Sequence, residues 1–520
     1  MSLRSYGTNH DSRCALIAAV FMAFIGALLI FLFPGSPEQD GDYHFLMART
    51  AWVDHFYFVD VWGRPLFSTL FAPVAALGFV PARFFALAIS LAAAWQTYRL
   101  ASDLRLPRAW LVVPFLLGQQ TFFELYSNLF TEPLFALVLV IALRCHISGR
   151  IKSGMLVASL LPLARPEGVF VCLFWGAWII ILPERERSLR AGKSEDVVHL
   201  PDLIDVNAPS VPGDPGVKSY RRVVNRLGSI VILASGVMIW WLAALLLTGD
   251  PLFILHNWPA TWHTGMYGHG TFLSYAQRSQ EFAGVILIVP FIVGLLRGFR
   301  SRSWILITSV FLVLFVLHSI FVRYGLFGEA GFPRYMVSVA PAIALLTLEG
   351  WNTIFLIKRL HPLTAAVGWA VVTFSILQSV YYMDSMVWAR DAVAIDDMAN
   401  WLQRQHPSLS GVIWSNGRMC IVLKQNLKDS PPAEHREKLL ALLEKAPPKT
   451  IVFWDNEVGP NWFGMTAAEI EGHGYKLLIS RHYSLPALIF CPGRFSGIPG
   501  ASLFPATPSR EVELSLSQKD

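Results

Sequence analysis

The chain has 520 residues, of which 54% are hydrophobic and only 15% are charged, whereas soluble domains carry about 25% charged residues. The apolar residues form blocks of about 17 to 22, long enough to cross a hydrocarbon core of about 30 Å. This composition excludes a soluble enzyme, a disordered protein and a fibrous protein. The net charge of +6 is typical of a membrane protein with Lys and Arg in cytoplasmic loops, and nucleic acid is not predicted as a partner.

The sequence predicts a polytopic α-helical membrane protein with about eleven transmembrane helices. The first apolar block, from about Cys14 to Phe33, is longer than a signal-peptide core, and no small-residue cleavage site follows it before Pro34. We therefore expect an uncleaved signal anchor. The other predicted spans lie near 82–101, 108–124, 132–147, 153–165, 167–183, 227–248, 281–297, 303–322, 336–357 and 363–383.

The distribution of charge predicts the orientation of these spans. If the N-terminus is cytoplasmic, the alternating inner loops contain the Arg and Lys clusters, and the outer loops contain mostly Asp and Glu. An odd number of spans places the C-terminus outside the cytoplasmic membrane, in the periplasm of a bacterium. There Cys420 and Cys491 could pair.

Two hydrophilic segments differ in composition from the membrane part, which we assign to residues 1–383. Residues 184–225 are rich in Pro, Asp and Arg and are predicted to be a flexible cytoplasmic linker. Residues 384–520 have the composition of a small extracytoplasmic α/β domain that ends in a disordered tail. Within it, patterning predicts helices over 391–405 and 434–445, and strands over 411–414, 450–454 and 475–480.

Two carboxylates, Asp40 and Asp42, follow the first span in the predicted outer loop 34–81. An Asp partly shielded from water has its pKa raised toward the range of a useful general base. The alternative is that one of them caps an interfacial helix, with Tyr43 and Trp52 as membrane-interface aromatics. The residues alone are compatible with both interpretations.

Arg165 and Glu167 lie between two apolar blocks, on either side of Pro166. Charged side chains at this depth are costly unless they pair or face a polar cavity. They indicate either a functional site or an ion pair that caps a re-entrant turn.

Other polar residues fall at predicted outer ends of spans. Glu132 lies at the predicted start of one span. Its position favours a helix N-terminus, and a role in the site is the alternative. Arg334, followed by Tyr335, precedes another span, where a guanidinium could hold a phosphate through two hydrogen bonds or serve as a snorkelling anchor.

The loop that follows Gly249-Asp250-Pro251-Leu252 is rich in Trp and His. Its histidines match no zinc motif, and interfacial aromatics explain most of the loop. The pattern predicts no cofactor, and a bound divalent metal ion is the alternative. The histidines are His256, His263 and His269.

These motifs, in this order along the chain, resemble the GT-C superfamily of polytopic glycosyltransferases, such as bacterial mannosyl- and aminoarabinose-transferase-like proteins. The resemblance covers roughly residues 10–385. It leaves open whether Asp40 or Asp42 matches the catalytic acid, because a Gly separates them. The motifs are Asp40-Gly41-Asp42-Tyr43-His44-Phe45, Gly63-Arg64-Pro65-Leu66, Thr131-Glu132-Pro133-Leu134-Phe135, Ala164-Arg165-Pro166-Glu167-Gly168, Gly249-Asp250-Pro251-Leu252 and Arg334-Tyr335.

The resemblance implies an inverting transfer of a sugar from a polyprenyl-phosphate donor to a lipid, glycan or protein acceptor on the outer face of the membrane. The acid at position 40 or 42 would receive the proton of the acceptor hydroxyl or orient that hydroxyl. The leaving phosphate would need cationic partners. The implied donor-binding residues are Arg165 and Arg334, with Arg64 and Arg49 in reserve, and the supporting residues are Glu167, His44, Glu132 and Tyr335.

The main alternative is a transporter or flippase of a lipid-linked sugar or another envelope precursor. Such a protein would carry ionisable residues through several spans near the midplane. Here those residues cluster at the predicted outer ends of the spans, which favours chemistry at the membrane surface.

Overall fold

A computed structural model describes most of the chain. The described residues are 3–36, 39–181, 215–259, 262, 268–355, 366–371, 373–374, 376–377, 390–405, 411–433, 435–456, 458–485 and 510–519.

Within these ranges the membrane part is helical, as predicted. Five helices are long and apolar enough to cross a membrane, so the composition and the structure agree on a membrane protein. These spans are Asp11–Leu32, Phe79–Asp103, Gly228–Thr248, Arg302–Tyr324 and Pro333–Ile354.

The membrane part also contains helices that are shorter than a membrane span. In the chain order of all its helices, the first four are labelled α1 to α4. They are α1 (Leu3–Leu32), α2 (Gln39–Thr50), α3 (Pro65–Ala75) and α4 (Phe79–Asp103), followed by Val112–Leu117, Gln120–Leu125, Glu132–Ile147, Ile151–Ala158, Leu161–Ala164, Gly168–Ile181, Pro215–Thr248, Phe253–His256, Ser274–Gln277, Ser279–Ala283, Ile288–Arg297, Arg302–Tyr324 and Ala340–Ile354, with 3-10 turns at His55–Phe58, Ala109–Leu111, Leu326–Gly328 and Pro333–Val339.

Three predictions for the membrane part need correction or completion. The predicted span 108–124 is broken into short helices, because Gln119 has an extended backbone (φ −83°, ψ 112°) after Gly118. The predicted linker 184–225 is helical from Pro215 onward, because this segment continues into the following span. Residues 182–214 and part of the predicted span 363–383 lie outside the described residues.

The C-terminal part contains a four-stranded sheet with the strand order β1-β2-β4-β3. Strands β1 and β2 are parallel, and β4 pairs antiparallel with both β2 and β3. The strands are β1 (Val412–Trp414), β2 (Ile451–Asp455), β3 (Tyr475–Leu485) and β4 (Arg510–Lys519), and the helices are Arg390–Gln405, Arg418–Val422, Arg436–Lys445, Val458–Phe463 and Ala467–Gly472.

The expectation of a disordered tail is therefore wrong for 510–519, which form an inner strand of the sheet. The signal was present in the alternation of Val512, Leu514 and Leu516 with polar residues, which is the pattern of a strand buried on one face. Cys420 is buried in this region, and Cys491 lies outside the described residues.

Helix α2 connects the membrane part to the C-terminal part. Arg49 donates hydrogen bonds to the carbonyl oxygens of Gln425 and, at 3.2 Å, Cys420. The hydroxyl of Thr50 accepts a hydrogen bond of 3.0 Å from the backbone N–H of Leu427. The contacts of α2 therefore fix its position against the C-terminal part.

A second link joins the start of this region to the end of α1. Arg418 binds both carboxylate oxygens of Asp396 at 2.8 Å and donates to the carbonyl of Pro34 at 2.9 Å. Charge-assisted hydrogen bonds in this two-pronged geometry are stronger than neutral ones, so Arg418 ties α1 to the helix Arg390–Gln405.

These contacts predict that Arg49 stabilises the protein and does not bind a substrate. Arg49→Ala removes two hydrogen bonds to the C-terminal part, and we expect the free energy of unfolding to fall by about 1–3 kcal/mol. Thermal unfolding in detergent measures this loss, with Arg150→Ala as the control, because Arg150 is exposed. An unchanged melting temperature together with weaker donor binding in Arg49→Ala would return this residue to the substrate site.

Candidate active site

The carboxylate of Asp40 forms an ion pair with Arg334. The Nη2 atom of Arg334 lies 2.5 Å from Oδ2 of Asp40. Burial opposes ionisation of Asp40, but the charge of Arg334 and the nearby Arg64 hold its pKa below the ordinary value. The side chain of Asp40 is 37% exposed whereas that of Arg334 is 9% exposed, so Asp40 is an ionised carboxylate that a second molecule can reach.

Asp42 lies on a different side of α2, because side chains two positions apart on a helix are about 200° apart. It is 5% exposed, and its Oδ1 atom has no hydrogen-bond partner in the described part of the chain. Burial raises the pKa of Asp42 to about 7, although the charges of Arg418 and Arg83 oppose this shift. Asp42 is therefore a buried carboxyl beside the link formed by Arg418.

His44 is one turn after Asp40 and is buried between aromatic rings. The centroid of its ring lies 5.5 Å from that of Trp62 and 5.4 Å from that of Phe67. Burial lowers the pKa of His44 to about 3, while the charge of Asp40 acts in the opposite direction. His44 is therefore a neutral group near the charged side chains of Asp40, Arg64, Arg165 and Arg334.

Arg165 is held by two carboxylates. Its Nη1 atom lies 2.6 Å from Glu132 and 3.0 Å from the hydroxyl of Thr131, and its Nε donates to Glu167. The ion pair between Arg165 and Glu167 that the sequence suggested is present, and all three charged side chains are buried. Because two negative charges already compensate this guanidinium, Arg165 has little free charge for a ligand.

A tight chain reversal brings Arg165 and Glu167 together. The helix Leu161–Ala164 ends at Arg165, whose backbone is extended (φ −158°, ψ 142°). A Cβ atom at Gly168 would lie 2.4 Å from the backbone carbon of Leu161, so only glycine allows this close approach. Gly168 is therefore part of the structure that positions both charges.

Arg64 has no carboxylate within ion-pair distance among the residues that the structure describes. Its Nη1 donates to the carbonyl of Val61 at 2.7 Å, its guanidinium lies 5.5 Å from the ring of Trp262, and its Nε has no partner in the same described ranges. Burial is the main cause that lowers the pKa of Arg64 to about 10, so it remains a cation at neutral pH. Among the candidate cations it is therefore the one best placed to accept an anion.

The backbone of Arg64 is strained, with φ 57° and ψ 100°. A positive φ is costly for a residue with a side chain and often marks a functional site. The turn is held by Asp60, which accepts hydrogen bonds from the N–H of Gly63 at 2.5 Å and from Asn257 at 3.0 Å. These bonds fix the turn from which the side chain of Arg64 extends toward the charges of Arg165 and Glu167.

Tyr335 contacts both arginine groups of the site. Its ring centroid is 5.1 Å from the guanidinium of Arg165 and 5.4 Å from that of Arg334. His318, in the span Arg302–Tyr324, stacks on the same ring with centroids 5.0 Å apart and an angle of 20°. Sequence reasoning missed His318, although a histidine within a span is itself a signal of function.

The structure groups most of the predicted site residues and leaves two outside. The charges of Asp40, Arg64, Arg165 and Arg334 all act on His44, and those of Glu132 and Glu167 act on Arg64. Asp42 lies beside Arg418, and Arg49 contacts the C-terminal part. The residues that come together are Asp40, His44, Arg64, Glu132, Arg165, Glu167, Arg334 and Tyr335.

The grouped carboxylates do not fit a divalent metal ion. No group of three His, Cys, Asp or Glu side chains within the described ranges is arranged to hold a metal. One oxygen of Asp40 is paired with Arg334 and one oxygen of Glu132 with Arg165, so each of these carboxylates already neutralises a cation of the protein.

The fold is similar to that of solved structures of ArnT. Apo ArnT from Cupriavidus metallidurans matches with a TM-score of 0.59 and 10% identity, over 96% of this chain and 97% of that chain. The same protein bound to undecaprenyl phosphate matches with a TM-score of 0.52 and 12% identity, over the same shares. An Archaeoglobus fulgidus oligosaccharyltransferase tethered to an acceptor peptide gives a TM-score of 0.44 and 14% identity, over 89% of this chain and 72% of that chain.

No family model matches the sequence, and no curated protein matches it. The likeness to ArnT nevertheless extends over nearly the whole length of both chains. The resemblance that the sequence motifs indicated is thus confirmed at the level of the fold, because this chain has the fold of the two ArnT structures.

Proposed function

We propose that this protein is a membrane glycosyltransferase that moves a sugar from a polyprenyl-phosphate donor to an acceptor hydroxyl, with inversion at the anomeric carbon. The observation that carries this proposal is the accessible, ionised Asp40 against Arg334, with the charge of Arg64 acting on the same carboxylate. A base next to two cations suits a reaction in which a hydroxyl loses a proton while a phosphate leaves. The ArnT structure that binds undecaprenyl phosphate supports a lipid-linked donor.

Asp40 is the residue that receives the proton. The acceptor oxygen forms a bond with the anomeric carbon while its proton passes to Oδ1 or Oδ2 of Asp40. The bond from the anomeric carbon to the phosphate oxygen breaks, and its electron pair stays on the phosphate. An Asp held by Arg334 is a weak base, so donor binding must draw Arg334 toward the phosphate and make Asp40 more basic.

Arg64 and Arg334 are the proposed partners of the donor phosphate. Arg64 has no carboxylate within ion-pair distance in the described part of the chain, and Arg334 exchanges Asp40 for the phosphate as the leaving group gains charge. Arg165 is assigned a different role, because Glu132 and Glu167 already bind it. It holds the helix breaks and the ring of Tyr335 in place around the phosphate.

This function requires the site to face the outside of a cytoplasmic membrane. We propose about eleven membrane crossings, a cytoplasmic N-terminus and an extracytoplasmic domain over residues 384–520, as the positive charges of the inner loops favour. The contacts of Arg49 and Arg418 support this arrangement, because they place the C-terminal part against the helix that carries Asp40.

Substitution separates the two carboxylates. Asp40→Asn removes the base, and we expect turnover to fall at least about 100-fold, whereas Asp42→Asn should stay within a few-fold of the wild type. The assay follows release of polyprenyl phosphate from labelled polyprenyl-phosphate sugars by purified protein in lipid, with envelope extract as the source of acceptors.

Asp42→Asn also serves as the folding control. A buried carboxyl with a pKa near 7 holds its proton in the folded protein, so wild-type stability falls relative to Asp42→Asn as pH rises from about 4 to about 7. Loss of turnover in a stable Asp42→Asn variant, with activity retained in Asp40→Asn, would reverse the assignment of the two carboxylates. No release by the wild type with any donor would favour a transporter.

Two arginine substitutions test the assignment of the donor phosphate. Arg64→Ala should weaken donor affinity by about 1.5–3 kcal/mol, the value of a hydrogen bond to a charged group, and leave the melting temperature close to that of the wild type. Arg165→Ala should destabilise the protein by about 3–5 kcal/mol, because it leaves two buried carboxylates without their partner. A stable Arg165→Ala variant with weak donor binding would show that Arg165, and not Arg64, is the phosphate ligand.

The pH profile provides an independent test of the base. The pKa of Asp40 lies below its ordinary value, so this carboxylate is ionised throughout neutral pH. Because a phosphodiester donor also keeps one negative charge in this range, kcat/KM should be flat between about pH 5.5 and 7.5. A base with a pKa of about 7, as for Asp42, would instead give a tenfold rise per pH unit below 7.

A further inference from the structure

A buried group of three hydrogen-bonded side chains behind Tyr335 takes no part in the reaction described above. It consists of Tyr275, His318 and Glu329, of which none is more than 4% exposed. Buried ionisable groups in a membrane protein are costly and are retained mainly for function.

Glu329 binds both other members of this group. Its carboxylate accepts hydrogen bonds from the hydroxyl of Tyr275, from the N–H of Gly331 at 3.2 Å, and from Nδ1 of His318 at 2.7 Å. A carboxylate only accepts hydrogen bonds, so Nδ1 of His318 must carry the hydrogen. Glu329 thus fixes both the orientation of the imidazole ring and its donor nitrogen.

The other side of His318 faces the candidate site. Its Nε2 atom lies 4.0 Å from Glu167, and its ring stacks on that of Tyr335. Glu167 and Tyr335 are the two groups that flank the guanidinium of Arg165. His318 therefore touches the immediate surroundings of Arg165 without contacting Arg165 itself.

We propose that His318 is a positioning residue, which Glu329 orients and which sets the plane of Tyr335 against Arg165 and Arg334. Tyr335 is the common surface of both guanidinium groups, and Arg334 binds Asp40. A change in the plane of this ring shifts Arg334 relative to both the base and the donor phosphate. This inference rests on the proposed function, because it assigns Arg334 to a lipid-linked phosphate.

The test is a binding series at His318 with polyprenyl phosphate as the probe, read as a dissociation constant in lipid nanodiscs. His318→Leu removes the flat ring at similar volume, and we expect binding to weaken about tenfold, because small displacements of positioned groups are costly. The donor KM should rise by a similar factor and kcat should fall less. His146→Leu is the matched control, because His146 is a partly buried histidine whose bond is to Trp175.

Two conservative variants separate the ring stack from the hydrogen bond. His318→Phe keeps a ring for Tyr335, and we expect it to recover most of the affinity lost in His318→Leu. His318→Gln can donate to Glu329 but cannot stack, and we expect it to remain weak. Recovery by His318→Gln and not by His318→Phe overturns the proposal, as does unchanged binding in His318→Leu.

The series also distinguishes this inference from the function on which it rests. If the wild type binds polyprenyl phosphate but transfers no sugar, the proposed function fails, and the binding constants still decide the role of His318. If the wild type does not bind polyprenyl phosphate, both proposals are overturned. If His318→Leu does not fold, the comparison of His318→Phe with His318→Gln gives the same decision.

Discussion

The ion pair between Asp40 and Arg334 joins two segments that are distant in the sequence, and the arrangement of the site depends on it. Asp40 belongs to α2, directly after the first span, whereas Arg334 precedes the helix Ala340–Ile354. An ion pair with one partner nearly buried is strong only if both side chains are held in place. The C-terminal part holds α2 through Arg49, and the ring of Tyr335 supports Arg334.

The cost of burying charge explains why the arginines of the site differ in role. A guanidinium in an apolar region needs partners, and Arg165 obtains them from Glu132 and Glu167. Arg64 is instead held in a strained turn, with a carbonyl and an indole ring as its contacts. A residue that keeps its charge without a carboxylate partner is the one that can bind an anion without first breaking a bond to a protein carboxylate.

The sequence predicted which residue types the candidate site contains, but not which charged side chains pair with each other. The helical character of the membrane part and most of the site residues followed from hydropathy and from motif order. The separation of Asp40 from Asp42 did not, because it depends on which side of α2 each partner approaches. The strand at 510–519 was missed because its pattern is short, and the contacts of Arg49 were not predicted because its partners are backbone carbonyls of a distant segment. His318 was missed because a single polar residue does not change the hydropathy of its span.

The formal charges of the grouped residues indicate why Arg334, and not Arg165, should exchange its carboxylate partner for the phosphate during the reaction. Arg64, Arg165 and Arg334 carry three positive charges, and Asp40, Glu132 and Glu167 carry three negative charges, so the site is neutral before the donor binds. Transfer of the acceptor proton to Asp40 removes one negative charge there, while departure of the sugar adds one to the phosphate. Negative charge therefore moves from Asp40 to the phosphate during the reaction. Arg334 is the cation already bonded to the group that loses this charge, so it alone among the three can exchange one partner for the other without leaving a buried carboxylate unpaired.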